Sequence, residues 1–533
     1  MNSAISRQTT GEKLNIFHMD FNFVSLRKDY LRAWLRRLPA LGFNAILWEL
    51  EDKVQWETCP ECVWPEAMSK AEFREILAET RALGMEPIPL LQTVGHAEYV
   101  LQHQPYHAFR ELPARHDCYC TSNAKVKTFL KTWIAEHLEL FGDIRYFHLG
   151  GDEAYVFGKC PQCSTDATPQ GRNKLFGNHI RALADQLLKK HIRPGIWNDM
   201  IMADPGVTGL SPKDFVIWDW NYWDTEQTPQ QVNLHALGRF TQANVATSDI
   251  LKYFPNLVDD TGKLRPFGSV KVLKKYGFEV ILCSSSRSYG DTFYCPLPIH
   301  AKNIVGAAKT VAAENLLGHC VTSWAIRFND YTTQIPYIGL AAKAKTGKAS
   351  DELLADYCRE LFGTDPTKFI KAINLLGVAL PFMQSGSSGV SWNTLKDSLP
   401  APAGYLQQYL ADLTKKYPST PTYQQNLFRQ AVADIPAGIK LLTEMFTEAK
   451  AGLDVLDGWI TGARYQLATA LIAQRIFTGE TDPALPALLT QHKYEYAAYL
   501  KHRETPRSAE KNAGLAYDAL IDLFNARVND EPS

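Results

Sequence analysis

From Leu14 to about Leu340 the chain alternates between short apolar runs and longer amphipathic stretches. That rhythm constrains the fold more than any other feature. Runs of four to eight apolar residues read as buried strands, and apolar positions at helical spacing read as helices between them. Strands are predicted near 14–20, 43–50, 85–91, 144–150, 192–198, 214–220, 279–284 and 317–324. Helical patterns fall between most of them, as at Tyr30–Leu41, Lys70–Leu83, Lys125–Leu140 and Asn173–Lys190. Eight such repeats over this length fit a (β/α)8 TIM barrel. A doubly wound sheet is the alternative, and polar residues at the strand ends favour closure. Leu41-Gly42, Leu83-Gly84 and Tyr276-Gly277 place glycine where a helix ends and a strand begins at once. The connection 221–278 is long enough to carry an insertion.

Beyond about Leu340 the strands stop. Ser350–Phe362, Pro366–Met383, Tyr423–Ala449 and Asp454–Phe477 read as helices, and 384–404, rich in Gly, Ser and Pro, as a loop. The expected organisation is a catalytic barrel over 1–340 followed by a mostly helical domain over 341–533, whose role is to stabilise the barrel or an interface. A chain of 533 residues is too long for one core and fits this division. Its formal net charge of −1 gives no electrostatic case for nucleic acid or an anionic membrane as partner. No run of about 18 apolar residues suggests a transmembrane helix. Met1–Lys13 is polar, so the sequence as written reads as cytoplasmic, or as secreted or periplasmic if a signal has been removed.

In a barrel the active site lies at the C-terminal ends of the strands. The fourth strand runs through Ile144-Arg145-Tyr146-Phe147-His148 into Leu149-Gly150-Gly151-Asp152-Glu153. The glycines permit a sharp turn, so Asp152 and Glu153 are expected to face a cleft and to serve different atoms of one ligand. An isolated Asp-Glu pair is ordinarily a solvated loop. His148, Gly150 and Gly151 change that reading. His148-Leu149-Gly150-Gly151-Asp152-Glu153 resembles the His-x-Gly-Gly-Asp-Glu signature of glycoside hydrolase family 20, the β-N-acetylhexosaminidases, at every fixed position. The resemblance extends over about 14–340. It is closest to the hexosaminidase D branch, which lacks the usual N-terminal accessory domain.

Further residues can be placed on this frame. The second strand ends Glu49-Leu50-Glu51-Asp52. In the family an acid here tunes a histidine from the next strand, which assigns Asp52 or Glu51; a surface acid pair is the plain alternative. The third strand ends Gly95-His96, matching a Gly-His of the family, and a histidine beside carboxylates can hold an acid near its working pKa. Trp197, Trp218 and Trp324 fall at the ends of the fifth, sixth and eighth strands. Their rigid rings suit the apolar faces of a pyranose. Single tryptophans are usually core, and three at strand ends are not so easily dismissed. Two departures stand out. The first strand ends His18-Met19-Asp20 with no arginine until Arg27, and the eighth continues to Ile326-Arg327 where the family usually has an acid.

The resemblance implies an exo-acting, retaining β-N-acetylhexosaminidase acting on glycans with terminal β-linked GlcNAc or GalNAc, with no cofactor for catalysis. The substrate's own 2-acetamido oxygen attacks the anomeric carbon. Glu153 is the general acid and base, Asp152 orients the acetamido group, and Tyr222 is the candidate donor to its oxygen. His96, Asp52, Trp197, Trp218, Trp324 and Arg327 complete the substrate-binding set. A non-catalytic sugar-binding barrel would require a lost acid, and Glu153 is present. A metal-dependent barrel hydrolase would ordinarily show His-x-His after the first strand.

Ten cysteines include two Cys-Pro-x-Cys turns, Cys59–Cys62 and Cys160–Cys163. Each is half of a zinc-ribbon site, and both lie on one face of the barrel one strand apart. The expectation is a structural zinc held by Cys59, Cys62, Cys160 and Cys163. Unrelated thiols or a redox pair are the alternative, with Cys118 and Cys120 as rival ligands.

Overall fold

The structure is a computed structural model that describes residues 13–167, 171–235, 237–288, 296–324, 330–344, 347–377, 420–478 and 482–528. Eight parallel strands close into a barrel: β1 (Leu14–Asp20), β2 (Ala45–Glu49), β3 (Glu86–Leu90), β4 (Tyr146–His148), β5 (Arg193–Trp197), β6 (Val216–Trp220), β9 (Glu279–Arg287) and β10 (Gly318–Ser323). Around the barrel the order is β1-β10-β9-β6-β5-β4-β3-β2. The two remaining strands, β7 (Gln231–Leu234) and β8 (Gly238–Thr241), form an antiparallel hairpin in the long connection after β6. All eight barrel strands fall where the apolar runs place them.

Strand alternation sorts each side chain to the inside or outside of the barrel. Leu14, Ile16, Ala45, Leu47, Ile88, Leu90, Val216, Ile281 and Cys320 form an inner cluster. Phe17, Met19, Ile46, Trp48, Phe147, Ile196 and Ile217 belong to the larger core between strands and helices. Trp197 and Trp218 also point inward and are fully buried. Two indoles fit because β5 carries glycine beside them: a Cβ on Gly195 would lie 2.5 Å from Trp218 Nε1.

The helices obey the same local logic. In Lys70–Ala82, Phe73, Ile76, Leu77 and Thr80 are buried at helical spacing, and Ser69 and Glu72 close the N-terminus as a reciprocal capping box. The later helices include Ser350–Phe362, Thr367–Leu376, Thr420–Glu448, Leu453–Thr478, Leu485–Lys501 and Pro506–Val528. The last two fall within the stretch read as helical from the sequence, which does not separate them. The expected loop 384–404 and the end of the expected helix 366–383 lie outside the described residues. Among the described residues no helix is long and apolar enough to cross a membrane.

The helical region touches the face of the barrel at the C-terminal ends of the strands. Arg27 N donates to Arg503 O at 2.9 Å and Thr505 N to Ser25 O at 2.8 Å, joining the loop after β1 to the turn between the last two helices. Trp459 is buried against Phe369 and donates from Nε1 to Thr333 O at 3.0 Å, just after β10. These contacts hold two active-face loops from outside.

Candidate active site

The acid pair follows β4 directly. Gly150 and Gly151 have φ of 63° and 91°, and Glu153 itself has φ of 45°. A carboxylate residue in that region carries strain of about 1–3 kcal/mol and is held there by its surroundings. The neighbouring loop explains much of the holding. A Cβ on Gly95 would lie 2.4 Å from the carbonyl oxygen of Asp152, so the backbone after β3 presses on the acid pair. Below it, His18 Nε2 and Glu49 Oε2 are 3.0 Å apart, and Gln92 Nε2 donates to Glu49 Oε1 at 2.9 Å. Gln92 in turn packs so closely on Gly150 that any side chain there would clash.

The pressed loop brings His96 to both acids. His96 Nε2 lies 3.3 Å from Asp152 Oδ2 and 3.6 Å from Glu153 Oε2. Burial opposes charge on His96, but the charge of Asp152 and hydrogen bonds to both carboxylates hold its pKa well above the ordinary value. The Asp152 side chain is 7% exposed and that of Glu153 38%. Asp152 Oδ1 is buried and has no hydrogen-bond partner among the described residues.

Glu153 is held by groups that sequence reasoning did not assign. Tyr155 donates its hydroxyl to Glu153 Oε1 at 2.7 Å, and Glu153 N donates to Asp199 Oδ2 at 2.8 Å. Desolvation raises the Glu153 pKa, but the hydrogen bonds from His96 and Tyr155 outweigh it and leave the carboxyl below its usual range. Asp199 moves the other way. Desolvation, then the charge on Asp152, push it up to about 7 against the Glu153 N–H and Trp220 Nε1. Asp199 lies two residues past the end of β5. His235, from the β7–β8 hairpin, packs 4.1 Å from Trp220 and feels the charge of Glu153. Nothing in its local sequence marks it.

The aromatic wall assembles largely as expected. Trp197 lies 6.1 Å from Trp218 and 5.8 Å from Trp324 between ring centroids, and His148 packs on both Trp197 and Trp218. Trp324 Nε1 donates to the Tyr222 hydroxyl at 2.9 Å. Arg327 lies outside the described residues. Asp52 is ion-paired with Lys53, and the acids in contact with His96 are Asp152 and Glu153. Neither Asp52 nor Glu51, the expected tuners of His96, forms an ion pair with it among the described residues. Glu51 is buried with its pKa raised by burial and by Glu49, Asp20 and Asp52.

The expected four-cysteine cluster is also corrected. Cys59 and Cys62 are joined to each other as a disulfide. Cys160 and Cys163 instead gather with Cys120, one of the two rivals, and with Glu111. Cys118 is buried with its thiol directed at the carbonyl of Tyr119.

The structure thus sets a histidine-linked acid pair after the fourth strand of an eight-stranded parallel barrel. Residues 13–238 match the family described as glycosyl hydrolase family 20, catalytic domain. Hexosaminidase D from Homo sapiens is 30% identical over 228 residues, covering 40% of this chain and 46% of the relative. Hexosaminidase D from Bos taurus is 28% identical over 197 residues, covering 36% and 57%. The chain thus matches about half the length of these curated relatives. A solved β-N-acetylhexosaminidase from Bacteroides fragilis is 18% identical with a TM-score of 0.46, covering 62% of this chain and 66% of that one. The match to the family 20 catalytic domain spans the first six barrel strands and the acid pair.

Proposed function

We propose that the chain is an exo-acting β-N-acetylhexosaminidase that removes terminal β-linked GlcNAc or GalNAc with retention, by substrate-assisted hydrolysis. The observation that carries this reading is the state of Asp152. One of its oxygens faces His96, and the other is buried without a partner. An uncompensated buried carboxylate oxygen is costly unless a ligand supplies a donor. The N–H of a 2-acetamido group is such a donor.

The roles then follow. Asp152 accepts the acetamido N–H and turns the acetamido oxygen toward the anomeric carbon. Attack by that oxygen expels the aglycone and leaves a cyclic oxazolinium, whose positive charge Asp152 stabilises. Glu153 protonates the departing glycosidic oxygen, then takes a proton from the water that opens the oxazolinium, so the stereochemistry is retained. Tyr222 donates to the acetamido oxygen, and Trp197, Trp218 and Trp324 enclose the acetamido methyl and the sugar face. His96 contacts both acids and shares its charge between them.

The free site holds Glu153 low through His96 and Tyr155. A bound sugar that covers Glu153 and loosens those contacts raises its pKa, as the acid role requires. The test is a panel of nitrophenyl β-glycosides with and without the 2-acetamido group. Hydrolysis of GlcNAc and GalNAc substrates with no measurable turnover of glucoside or galactoside is expected. Comparable turnover of the substrates lacking the acetamido group overturns the mechanism.

A further inference from the structure

Outside the acid pair, one buried cluster has the chemistry of a site. Cys120 comes from the loop after β3, and Cys160 and Cys163 from the turn entering the short helix Pro161–Ala167 after β4. Cys120 Sγ lies 3.6 Å from Cys160 Sγ and 3.7 Å from Cys163 Sγ, and Glu111 Oε2 lies 3.2 Å from Cys163 Sγ. All four ligand atoms fall within 4.8 Å of one another. We infer that Glu111, Cys120, Cys160 and Cys163 form a structural binding site for one thiophilic divalent cation, zinc by preference, that clamps the loop of the general acid to the loop of His96.

Three observations carry this. The first is spacing. Zinc–sulfur bonds of about 2.3 Å at tetrahedral angles place sulfurs about 3.8 Å apart, close to the separations from Cys120. Two thiols alone would satisfy a disulfide; here a third thiol and a carboxylate converge on the same point. The second is the surrounding shell. Glu111 Oε1 accepts from Lys159 N at 2.7 Å and Cys160 N at 2.8 Å, which leaves Oε2 aimed at the sulfurs. Cys163 N donates to Cys160 Sγ at 3.3 Å, and a sulfur receiving a main-chain N–H is suited to hold negative charge. The third is burial. Glu111, Cys120 and Cys163 are 1%, 6% and 0% exposed, so the carboxylate and two of the three thiols converge away from solvent. One divalent ion can be held by all four groups at once. Binding displaces the thiol protons and fills all four positions with protein atoms, so the ion is closed to substrate.

Its consequence is positional. The loop after β3 is stitched back to its own start, with Tyr119 N donating to Val94 O at 2.9 Å and Ala97 N to Asp117 O at 3.3 Å. Fixing Cys120 to Cys160 and Cys163 therefore fixes His96 relative to Glu153. The inference does not depend on the reaction proposed above.

The experiment is elemental analysis of the full chain, purified without added metal and dialysed against a mild chelator. About one zinc per chain is expected, together with a thiolate charge-transfer band when cobalt(II) replaces it. Cys163→Ser and Cys120→Ser should each lose the metal, whereas Cys59→Ser with Cys62→Ser should retain it. Less than about a tenth of an equivalent in the wild type, with free thiols or with a disulfide among Cys120, Cys160 and Cys163, overturns the site. Loss of metal in the Cys59/Cys62 variant with retention in Cys120→Ser overturns the ligand assignment. If the serine variants do not fold, the wild-type metal content and cobalt spectrum alone decide.

Discussion

The loops after β2 and β4 begin alike and end differently. Each starts with adjacent carboxylates, Glu51-Asp52 and Asp152-Glu153. Each has a glutamate at positive φ, 43° for Glu51 and 45° for Glu153. Each reaches a Cys-Pro-x-Cys turn a few residues later. In the β2 loop the carboxylates turn inward: Glu51 is buried among other acids, Asp52 pairs with Lys53, and the cysteines close on each other. In the β4 loop the carboxylates meet His96 and the cysteines meet Cys120 and Glu111. The local sequence is nearly the same device twice. What differs is the neighbour: the loop after β3 supplies His96, Cys120 and Glu111, and these side chains converge on the β4 loop. Function here is a property of the contact between two loops.

The sharpest way to break this comparison is to neutralise the corresponding glutamates. Glu153→Gln should reduce turnover by roughly 100- to 10,000-fold, least with a leaving group that needs no protonation. Glu51 already has its pKa raised by burial and neighbouring acids, so Glu51→Gln replaces a group that favours its neutral form with a neutral isostere. Its turnover should change by less than about threefold. Similar losses in both variants, measured on one nitrophenyl substrate, would show that the two loops are not functionally distinct.

Asp152→Asn should follow, with kcat lower by about 100- to 1,000-fold, because in the proposed mechanism it removes charge stabilisation that matters only once the oxazolinium forms. A thiazoline that mimics that intermediate should bind this variant far more weakly than the wild type, while near-ultraviolet circular dichroism stays the same. Unchanged thiazoline affinity would place Asp152 elsewhere in the reaction.

These contrasts mark how far the sequence could be read. The barrel was legible because apolar runs and glycine caps are local signals, and every barrel strand lies where they put it. The acid pair was legible because its glycines and carboxylates sit in one short stretch. The partners were not. Asp199 reaches Glu153 N from the next strand, and Asp152 rather than Asp52 holds His96, because three-dimensional reach decides which of several acids arrives. The cysteines show the same limit. Two similar turns on one face suggested one shared site, but the third thiol comes from Cys120, one of the two rival ligands on the loop after β3. Residues 485–501 and 506–528 fall within the stretch read as helical, though the sequence did not separate them into individual helices.

The cysteine turns offer a thermodynamic version of the comparison. A link between Cys59 and Cys62 spans a sequence separation of 3, whereas Cys163 is separated from Cys120 by 43 residues and from Glu111 by 52. By loop-closure entropy the short link restricts the unfolded chain by about 1.6 kcal/mol and the long ones by about 4 kcal/mol. Cys163→Ser should therefore lower the melting temperature at least about twice as much as Cys59→Ser. Scanning calorimetry on metal-replete protein checks this, and equal shifts would mean that the β4 turn is not cross-linked to the loop after β3.

The smallest expected effect concerns Tyr155, which has no counterpart after Glu51. Its hydroxyl hydrogen bond helps keep the Glu153 carboxyl low in the free enzyme, alongside the larger influence of His96. If Glu153 is the proposed general acid it must be protonated to act, so kcat/KM should fall as pH rises through its free-state pKa. Tyr155→Phe removes one stabiliser of the carboxylate and so raises that pKa. The alkaline limb of the profile should move upward. Tyr155 is 66% exposed, so solvent replaces part of the lost bond and the shift should stay below about one pH unit. His96→Asn should move the same limb further, since it removes both a hydrogen bond and a positive charge. A downward shift in Tyr155→Phe, or a larger shift there than in His96→Asn, would reverse the order of the two groups around Glu153. It would also mean that the β4 loop is poised by its own residues rather than by the neighbour that sets it apart from the β2 loop.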